Sequence, residues 1–190
     1  MVVEARPVEQ LLTLAQFEQM SEYYDGPFEL IDGSIVEIMS GDNHGRIARR
    51  LEHAIWEFDP KDQIGLTWRD TTIKVAGDDG NGRKPDIAYI TANRVPPGSD
   101  TSLSVIPDLV VEVWSPSDVD GKAALKSTLL KMRYWPHNGV RITWCINPAA
   151  KEVEISYAGN ETPAKVLGLN DDLDGEDVIP GFKMKVAALF

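Results

Sequence analysis

The stretch PDLVVEVWSPSD, residues 107–118, decides the fold, because it is a buried-strand pattern that contains one acidic side chain. Val110, Val111 and Val113 favour the interior of a β-sheet, where β-branched side chains pack well. Glu112 stands among them. A carboxylate left buried and unpaired there costs roughly several kcal/mol. The sequence therefore predicts that Glu112 either has a structural partner or meets a cation.

Apolar patterns on either side of this strand predict further strands. The segment FELIDGSIVEIM, residues 28–39, consists of two apolar runs around Asp-Gly, which is a strong hairpin signal. Residues 64–77 favour strand. Residues 85–90 and 107–114 are strands without clean alternation, as expected when both faces of a sheet are covered. VRITWCINP and KEVEISY predict a final strand pair, followed by a loop-rich acidic stretch and a short apolar C-terminal segment.

Three helices are predicted between these strands. The first is short and amphipathic, at residues 13–22. The second follows SGDN and turns five apolar side chains inward, Ile47, Leu51, Ala54, Ile55 and Phe58. The third runs from Asp118 to about Tyr134. Together the elements predict one α/β domain, residues 1–190, with a central mixed β-sheet flanked by helices.

Composition places the chain among ordinary globular proteins. Its 190 residues are 43% apolar and 26% charged, which suffices for one domain with a full hydrophobic core. The first residues lack the basic start and apolar run of a signal peptide, and no segment approaches the roughly 20 apolar residues of a membrane helix. The single cysteine, Cys145, excludes an internal disulfide and is expected to be packed in the core. A cytoplasmic location is the resulting expectation.

The net charge of −11 argues at first against nucleic acid as a partner. Its distribution weakens that argument, because residues 152–177 contain eight acids and one base and so carry −7 of the total. The bases of the remaining chain cluster on two predicted helices, in Arg46, Arg49 and Arg50 and in residues 122–133. These clusters are either solvated helix faces or a local basic rim that contacts phosphates.

Three carboxylates stand on three separate predicted strands. Glu29 lies in an apolar strand of the hairpin, Asp86 follows Pro85 at the start of its strand, and Glu112 lies within the valine run. Two of them have an ordinary explanation, since Glu29 can pair with an arginine and Asp86 can cap a turn. If all three meet at one edge of the sheet they repel one another, and a hard divalent cation such as Mg²⁺ relieves that repulsion. Such a site is suited to phosphate ester hydrolysis, because the metal activates water and polarises the phosphate.

The ordered set of motifs resembles one known family. FELIDGSIVEI, NHGRI, RKPDIAYI, PDLVVEVWSPSD, LLKM, NGVRITWCINP and IPGF occur in this order, from about Leu12 to the C-terminus. Pro85-Asp86 followed by Glu112 is similar to the PD-(D/E)XK nuclease superfamily, and the whole set is closer to the bacterial Uma-two family of predicted endonucleases. The resemblance implies a restriction-endonuclease-like α/β fold. It also implies a nuclease that uses Mg²⁺ or Mn²⁺ on nucleic acid, with DNA favoured over RNA.

Carried over residue by residue, the resemblance implies Glu29, Asp86 and Glu112 as the metal-binding acids, of which Asp86 and Glu112 are also catalytic. The superfamily lysine belongs two residues after the second acid, and Trp114 stands there in this chain. The resemblance places the basic role on the following helix instead, where LLKM supplies Lys131. Such a lysine orients the attacking water or offsets charge on the phosphate.

The remaining candidates concern the substrate and the basic role. His44 lies in DNHG at a helix start, where a phosphate can dock, and the resemblance makes it a substrate contact or a support for one. Arg46 and Arg50 of the same helix are predicted to contact substrate phosphates. Lys126 competes with Lys131 for the basic role, since both lie on one predicted helix. A solvated surface position is the alternative for each of these five side chains.

Two functions remain open from the sequence. The first is a Mg²⁺- or Mn²⁺-dependent endonuclease. The second is a non-catalytic module that keeps the nuclease fold and binds nucleic acid or another protein, and Trp114 in the lysine position together with the acidic composition favours it. Retention of three acids counts against it, since a scaffold gains from apolar residues at such positions. A homodimer is compatible with either function.

Overall fold

The computed structural model describes residues 11–21, 28–37, 41–98, 102–114, 130, 132–160 and 162–190. The described helices are α1, Leu14–Ser21, and α2, Asp42–Phe58, and residues 130 and 132–137 are also helical. The described strands are β1 Phe28–Ile31, β2 Ser34–Glu37, β3 Gly65–Trp68, β4 Thr72–Ile73, β5 Ile87–Thr91, β6 Ser102–Leu103, β7 Leu109–Val113, β8 Ile142–Asn147, β9 Glu152–Tyr157, β10 Lys165–Leu167, β11 Asp172–Asp174 and β12 Lys183–Lys185. Short 3₁₀ turns cover Ala92–Arg94 and Val186–Leu189. None of the described helices combines the length and apolarity that a membrane crossing requires.

The valine run forms β7, an inner strand of a six-stranded central sheet. The strand order is β10-β9-β8-β7-β5-β3. β7 and β8 run parallel, whereas the other neighbouring strands run antiparallel. All five residues of β7 are buried, because the strand has neighbours on both sides and packed layers on both faces. The predicted mixed sheet is confirmed.

Each face of the central sheet is covered by its own apolar layer. α2 and the C-terminal segment cover one face, and α2 contributes four buried side chains, Ile47, Ala48, Leu51 and Ile55. On the other face, Ala88 and Val110 pack with Trp135 and Val140. Side chains alternate along a strand, so Glu112 lies on the same face as Val110 and close to the Trp135 layer.

The hairpin of β1 and β2 turns at Asp-Gly, as predicted. Asp32 and Gly33 have φ angles of 48° and 77°, the left-handed values that a two-residue hairpin turn of this kind needs. β1 also bridges to Gly82 through Leu30, with two backbone hydrogen bonds of 3.0 and 3.1 Å. This bridge attaches the hairpin to the chain segment that leads into β5.

The C-terminal part differs from the loop-rich stretch that the sequence predicts. β10 is the outer strand of the central sheet, and β11 and β12 form a separate hairpin. Ion pairs across that hairpin join Lys183 to Asp174 at 3.1 Å and Lys185 to Asp172 at 2.9 Å. These strands have three residues each, which is too short for the alternating apolar pattern by which a strand is detected.

Two expectations about the helices have different outcomes. Phe58, predicted to face inward, is the last residue of α2 and is 41% exposed, although its ring makes an edge contact with that of Phe182 at 5.7 Å between centroids. The predicted helix from Asp118 to about Tyr134 falls mostly on residues 115–129 and 131, which lie outside the described residues. Its described part is helical and continues to residue 137.

Candidate active site

Asp86 and Glu112 stand at the same end of two neighbouring strands. β5 and β7 pair antiparallel, and Ile87 opposite Val111 is the last pair of the ladder at this end. Asp86 comes just before Ile87 and Glu112 just after Val111, so the two acids flank the end of the ladder. The Val113 backbone N–H donates to Asp86 Oδ2 at 2.6 Å, which holds the Asp86 carboxylate against β7. The pairing of the two strands is therefore what brings these carboxylates together.

His44 reaches Asp86 from the first turn of α2. Its Nε2 lies 3.0 Å from Asp86 Oδ2, and the two side chains are 12% and 18% exposed. α2 begins after Gly41, so the first-turn N–H groups and the positive end of the helix dipole lie at the same end of the helix as His44. His44 is therefore a positioning contact for Asp86, placed where a phosphate can also approach the helix end.

Trp135 holds Glu112 from the opposite layer. The Trp135 Nε1–H donates to Glu112 Oε1 at 2.7 Å, and both side chains are buried. An indole is a neutral donor, so this bond orients the carboxylate without neutralising its charge. Trp135 is a site residue that the sequence did not indicate. Its sequence signal is only its position on the predicted helix after β7, three residues beyond LLKM.

Glu29 approaches the same segment from the hairpin. Its side chain is 1% exposed, and its Oε1 accepts the backbone N–H of Lys84 at 2.8 Å. Lys84 is two residues before Asp86 in the chain. The bridge between β1 and residue 82 thus brings the third predicted acid to the start of β5.

Two further groups show that this part of the sheet is electronegative. Cys145 lies opposite Glu112 on β8, and Glu154 lies opposite Cys145 on β9. Burial first, and then the charges of Glu112, Glu154 and Asp86, raise the pKa of the Cys145 thiol well above its usual value. The buried thiol is thus protonated, as expected for a packing residue. Burial and the neighbouring Glu152 likewise raise the pKa of Glu154.

The donor set fits a hard divalent cation held by two carboxylates. Among the described residues, no group of three or more His, Cys, Asp and Glu side chains is arranged to hold a metal ion. Mg²⁺ needs fewer protein ligands than that, since one or two carboxylates suffice when waters or phosphate oxygens complete the octahedron. The predicted set of Glu29, Asp86 and Glu112 is thus not assembled around one point among the described residues. Asp86 and Glu112 are the two carboxylates that could hold a divalent cation, and both described contacts of Asp86 are made by Oδ2.

The predicted basic residues are distributed over three places. Lys131 and its competitor Lys126 lie outside the described residues. Arg46 is exposed and, with Arg49, lines a depression of about 470 Å³ at the same end of α2 as His44. Arg50 instead donates through Nη1 to the Leu189 carbonyl at 3.0 Å, which ties α2 to the C-terminal segment.

Comparisons with known proteins bear on the family and the fold. The family model Uma2, described as "Putative restriction endonuclease", matches residues 14–187. Among solved structures, the chain is similar to "a putative nuclease belonging to DUF820" from Anabaena variabilis ATCC 29413, with a TM-score of 0.71 and 18% identity over 94% of this chain and 97% of that chain. This similarity confirms the predicted restriction-endonuclease-like α/β fold. The search of curated proteins found no match. Because the family model covers nearly the whole sequence, the chain belongs to the Uma2 family.

Proposed function

We propose that this protein is a divalent-metal-dependent nuclease that hydrolyses phosphodiester bonds of nucleic acid, with DNA as the substrate. The observation that carries the proposal is the placement of Asp86 and Glu112 next to the last residue pair of β5 and β7, with the Val113 N–H bound to Asp86. Carboxylates at one end of a strand pair repel each other when both are charged, and a divalent cation that meets both relieves that repulsion. Membership of a family described as restriction endonucleases supports the same reaction class.

The chain's own residues divide the work as follows. Asp86 and Glu112 would hold Mg²⁺ or Mn²⁺, and Glu29 would complete the set or bind a water of the ion. When bound, the cation would activate water and polarise the scissile phosphate. Val113, through its N–H, and His44 fix the orientation of Asp86, so that its carboxylate is set before substrate arrives.

Lys131 is our proposal for the basic group, with Lys126 as the alternative. The ammonium would orient the attacking water or offset charge on the phosphate. Trp114 occupies the place of the superfamily lysine and brings no charge, so the base must come from another element of the chain.

The substrate contacts we propose are His44, Arg46 and Arg50 at the side of α2. Arg46 lies on the exposed depression beside Arg49, where a phosphate backbone can approach both guanidinium groups. Arg50 already donates to the Leu189 carbonyl through one nitrogen, so its contribution to substrate binding is expected to be smaller than that of Arg46.

A non-catalytic nucleic-acid-binding or protein-binding module is the second candidate. Trp114 favours it, since that side chain replaces the lysine and its indole nitrogen is buried without a hydrogen-bond partner among the described residues. The paired carboxylates favour the nuclease, because a binding module gains nothing from them.

Cleavage assays separate the two candidates. Single- and double-stranded DNA and RNA are incubated with the wild type in Mg²⁺, in Mn²⁺ and in EDTA. We expect cleavage that requires the metal and that Asp86→Asn abolishes. The matched control is Asp172→Asn, which changes an acid of the same type on the exposed β11–β12 hairpin. Metal-independent cleavage, or none on any substrate, would overturn the proposed activity.

Calorimetry tests the metal separately from catalysis. We expect weak Mn²⁺ binding by the wild type, because the phosphate oxygens that complete the coordination are missing without substrate. The double variant Asp86→Ala with Glu112→Ala should lose that binding. Identical binding isotherms for the wild type and the double variant would remove the metal from this site.

A further inference from the structure

A second candidate binding site lies in a groove of about 400 Å³ between the hairpin turn and the helical residues 132–137. Arg83, Arg133 and His137 contribute basic side chains to its lining, Tyr134 contributes a ring, and Asp32 contributes an acid. A volume of this size falls within the roughly 300–1,000 Å³ that small-ligand sites occupy. The groove thus carries two permanent positive charges against one negative charge, in a chain whose net charge is −11.

Arg83 is the unusual member of this lining. It is 7% exposed, and its Nε is buried without a hydrogen-bond acceptor among the described residues. No described carboxylate forms an ion pair with its guanidinium, whose one described partner is the ring of Tyr134, 4.7 Å from the guanidinium carbon to the ring centroid. A mostly buried guanidinium with no ion-paired carboxylate among the described residues is incompletely compensated, so an anionic ligand complements it.

Hydrogen bonds through Asp78 fix the Tyr134 ring on which Arg83 stacks. The Tyr134 hydroxyl donates to Asp78 Oδ2 at 3.0 Å, and Asn81 Nδ2 donates to Asp78 Oδ1 at 2.8 Å. Burial and the charge of Asp78 raise the pKa of the Tyr134 hydroxyl, which therefore stays neutral. The guanidinium is accordingly pre-oriented toward the groove, and little side-chain entropy is lost when a ligand binds.

The groove adjoins the carboxylates through two chain segments. Arg83 precedes Lys84, whose N–H is bound by Glu29. Tyr134 precedes Trp135, whose indole is bound to Glu112. Consecutive Cα atoms are about 3.8 Å apart, so both halves of the groove lie next to groups that hold the acidic site.

We propose that the groove binds one nucleotide of the substrate strand, next to the phosphate that meets the carboxylates. Arg83 contacts its phosphate, Arg133 and His137 contact the backbone at the exposed rim, and Leu130 offers apolar surface to the sugar or base. A guanidinium fork matches a phosphate better than an ammonium does, which suits an arginine to this position. The identity of the ligand as a nucleic-acid strand rests on the proposed function.

Binding is measured without chemistry, by fluorescence anisotropy of a labelled single-stranded DNA oligonucleotide in EDTA at low salt. The double variant Arg133→Gln with His137→Gln alters only exposed side chains, so it should fold normally. We expect it to weaken binding about tenfold, as for loss of a charge-assisted contact. The control Lys183→Gln removes a charge from a lysine that is 63% exposed on β12 and should leave binding unchanged. Equal affinity of the double variant and the wild type would overturn the proposal.

Arg83→Met tests the buried cation itself. We expect about tenfold weaker binding together with a urea midpoint no lower than that of the wild type, because an unpaired buried charge is replaced by an apolar side chain. A lower midpoint with unchanged binding would make Arg83 a structural residue and overturn the proposal. Arg83→Lys, which keeps the charge and loses the planar fork, should restore binding only in part.

The two proposals fail in different ways. If the wild type shows metal-dependent cleavage and all groove variants bind the oligonucleotide as tightly as the wild type, the groove proposal is wrong and the nuclease proposal stands. Groove-dependent binding without any cleavage would keep the groove and remove the nuclease. If no oligonucleotide binds, and sedimentation shows a wild-type dimer that the double variant dissociates, the groove is an interface between copies of the chain and the proposal is wrong.

Discussion

Asp108 and Glu112 stand on the same face of one segment, at opposite ends of β7, but the described partners of their carboxylates differ. Asp108 is 1% exposed and lies among cations, with Arg94 donating to its Oδ1 and Arg141 approaching at 3.5 Å. Thr91 completes the set through its backbone N–H and its hydroxyl, both at 2.9 Å. Glu112 instead accepts from a neutral indole, and Asp86 lies at the same end of the β5–β7 pair.

The comparison distinguishes a structural acid from a functional one. Burial acts to raise the pKa of Asp108, but the Thr91 bonds and the Arg94 charge outweigh it, so the net pKa lies below the ordinary value. The folded protein thus supplies the counter-charge that Asp108 needs. At the other end of the strand, Trp135 orients Glu112, and the Val113 N–H and His44 orient Asp86. A buried acid compensated by arginines stabilises the fold, whereas the proposed function assigns the acids at the other end to a cation.

The largest expected effect is on cleavage by Glu112→Gln. We expect the single-turnover rate to fall by about 10³-fold or more, because the amide offers the cation no anionic oxygen. Trp135 can still donate to the amide oxygen, so the free energy of unfolding in urea should stay within about 1 kcal/mol of the wild type. A wild-type cleavage rate in this variant would place Glu112 with Asp108 as a structural acid.

The opposite pattern is expected for Asp108→Asn. The free energy of unfolding should fall by about 2–4 kcal/mol, because Arg94 and Arg141 lose the buried charge that they contact. Cleavage per folded molecule should remain close to wild type at a temperature where the variant is folded. Urea unfolding and the cleavage assay on one protein preparation measure both quantities. A variant as stable as the wild type would mean that the arginines do not compensate Asp108.

Acid should weaken the contribution of Asp108 specifically. Its pKa is lower in the folded state than the ordinary 3.8, so its stabilisation is present above that value and is lost as the pH falls through the lower folded pKa. The stability difference between the wild type and Asp108→Asn should therefore be full at about pH 7 and should shrink below about pH 4. Urea midpoints across this range provide the measurement. A difference that stays constant down to about pH 2 would contradict the charge-based account.

The smallest expected effect comes from Trp135→Phe, which removes the donor to Glu112. We expect a loss of about 1–2 kcal/mol in the free energy of unfolding and a roughly tenfold weaker Mn²⁺ affinity by calorimetry. The matched control is Trp144→Phe on the other face of the sheet. The Trp144 indole nitrogen is buried without a described hydrogen-bond partner, so this change alters packing and leaves the metal site intact. Equal losses of Mn²⁺ affinity in the two variants would show that Trp135 acts only by packing.

Local pattern was enough to predict much of the fold. The Asp32-Gly33 turn, α2 and β7 are each signalled by residues close in sequence, since turn preference and apolar period are local properties. Strands too short to establish such a period were missed, as with β10 and the β11–β12 hairpin. Those strands depend on backbone pairing with a neighbour and on exposed ion pairs.

The candidate acids could be named from the sequence, whereas their contacts could not. Glu29, Asp86 and Glu112 were conspicuous because each interrupts or begins an apolar run. Trp135 and Arg83 gave no such signal, because a tryptophan near a helix end and an arginine in RKPD are ordinary in a sequence. Their significance comes from the partner that Trp135 has and from the counter-charge that Arg83 lacks among the described residues.

The sequence by itself determined which residue types stand on which strands, that the chain forms a mixed α/β sheet, and the family to which its motifs belong. The tertiary structure alone decided that Asp86 and Glu112 stand at the same end of β5 and β7, that Arg94 contacts Asp108 while Trp135 contacts Glu112, and that Arg83 lines a groove. The physical reason is the separation in sequence over which each interaction acts. Side-chain period and turn preference act over a few residues, whereas the register of β5 on β7 and the packing of residues 132–137 join positions that are tens of residues apart.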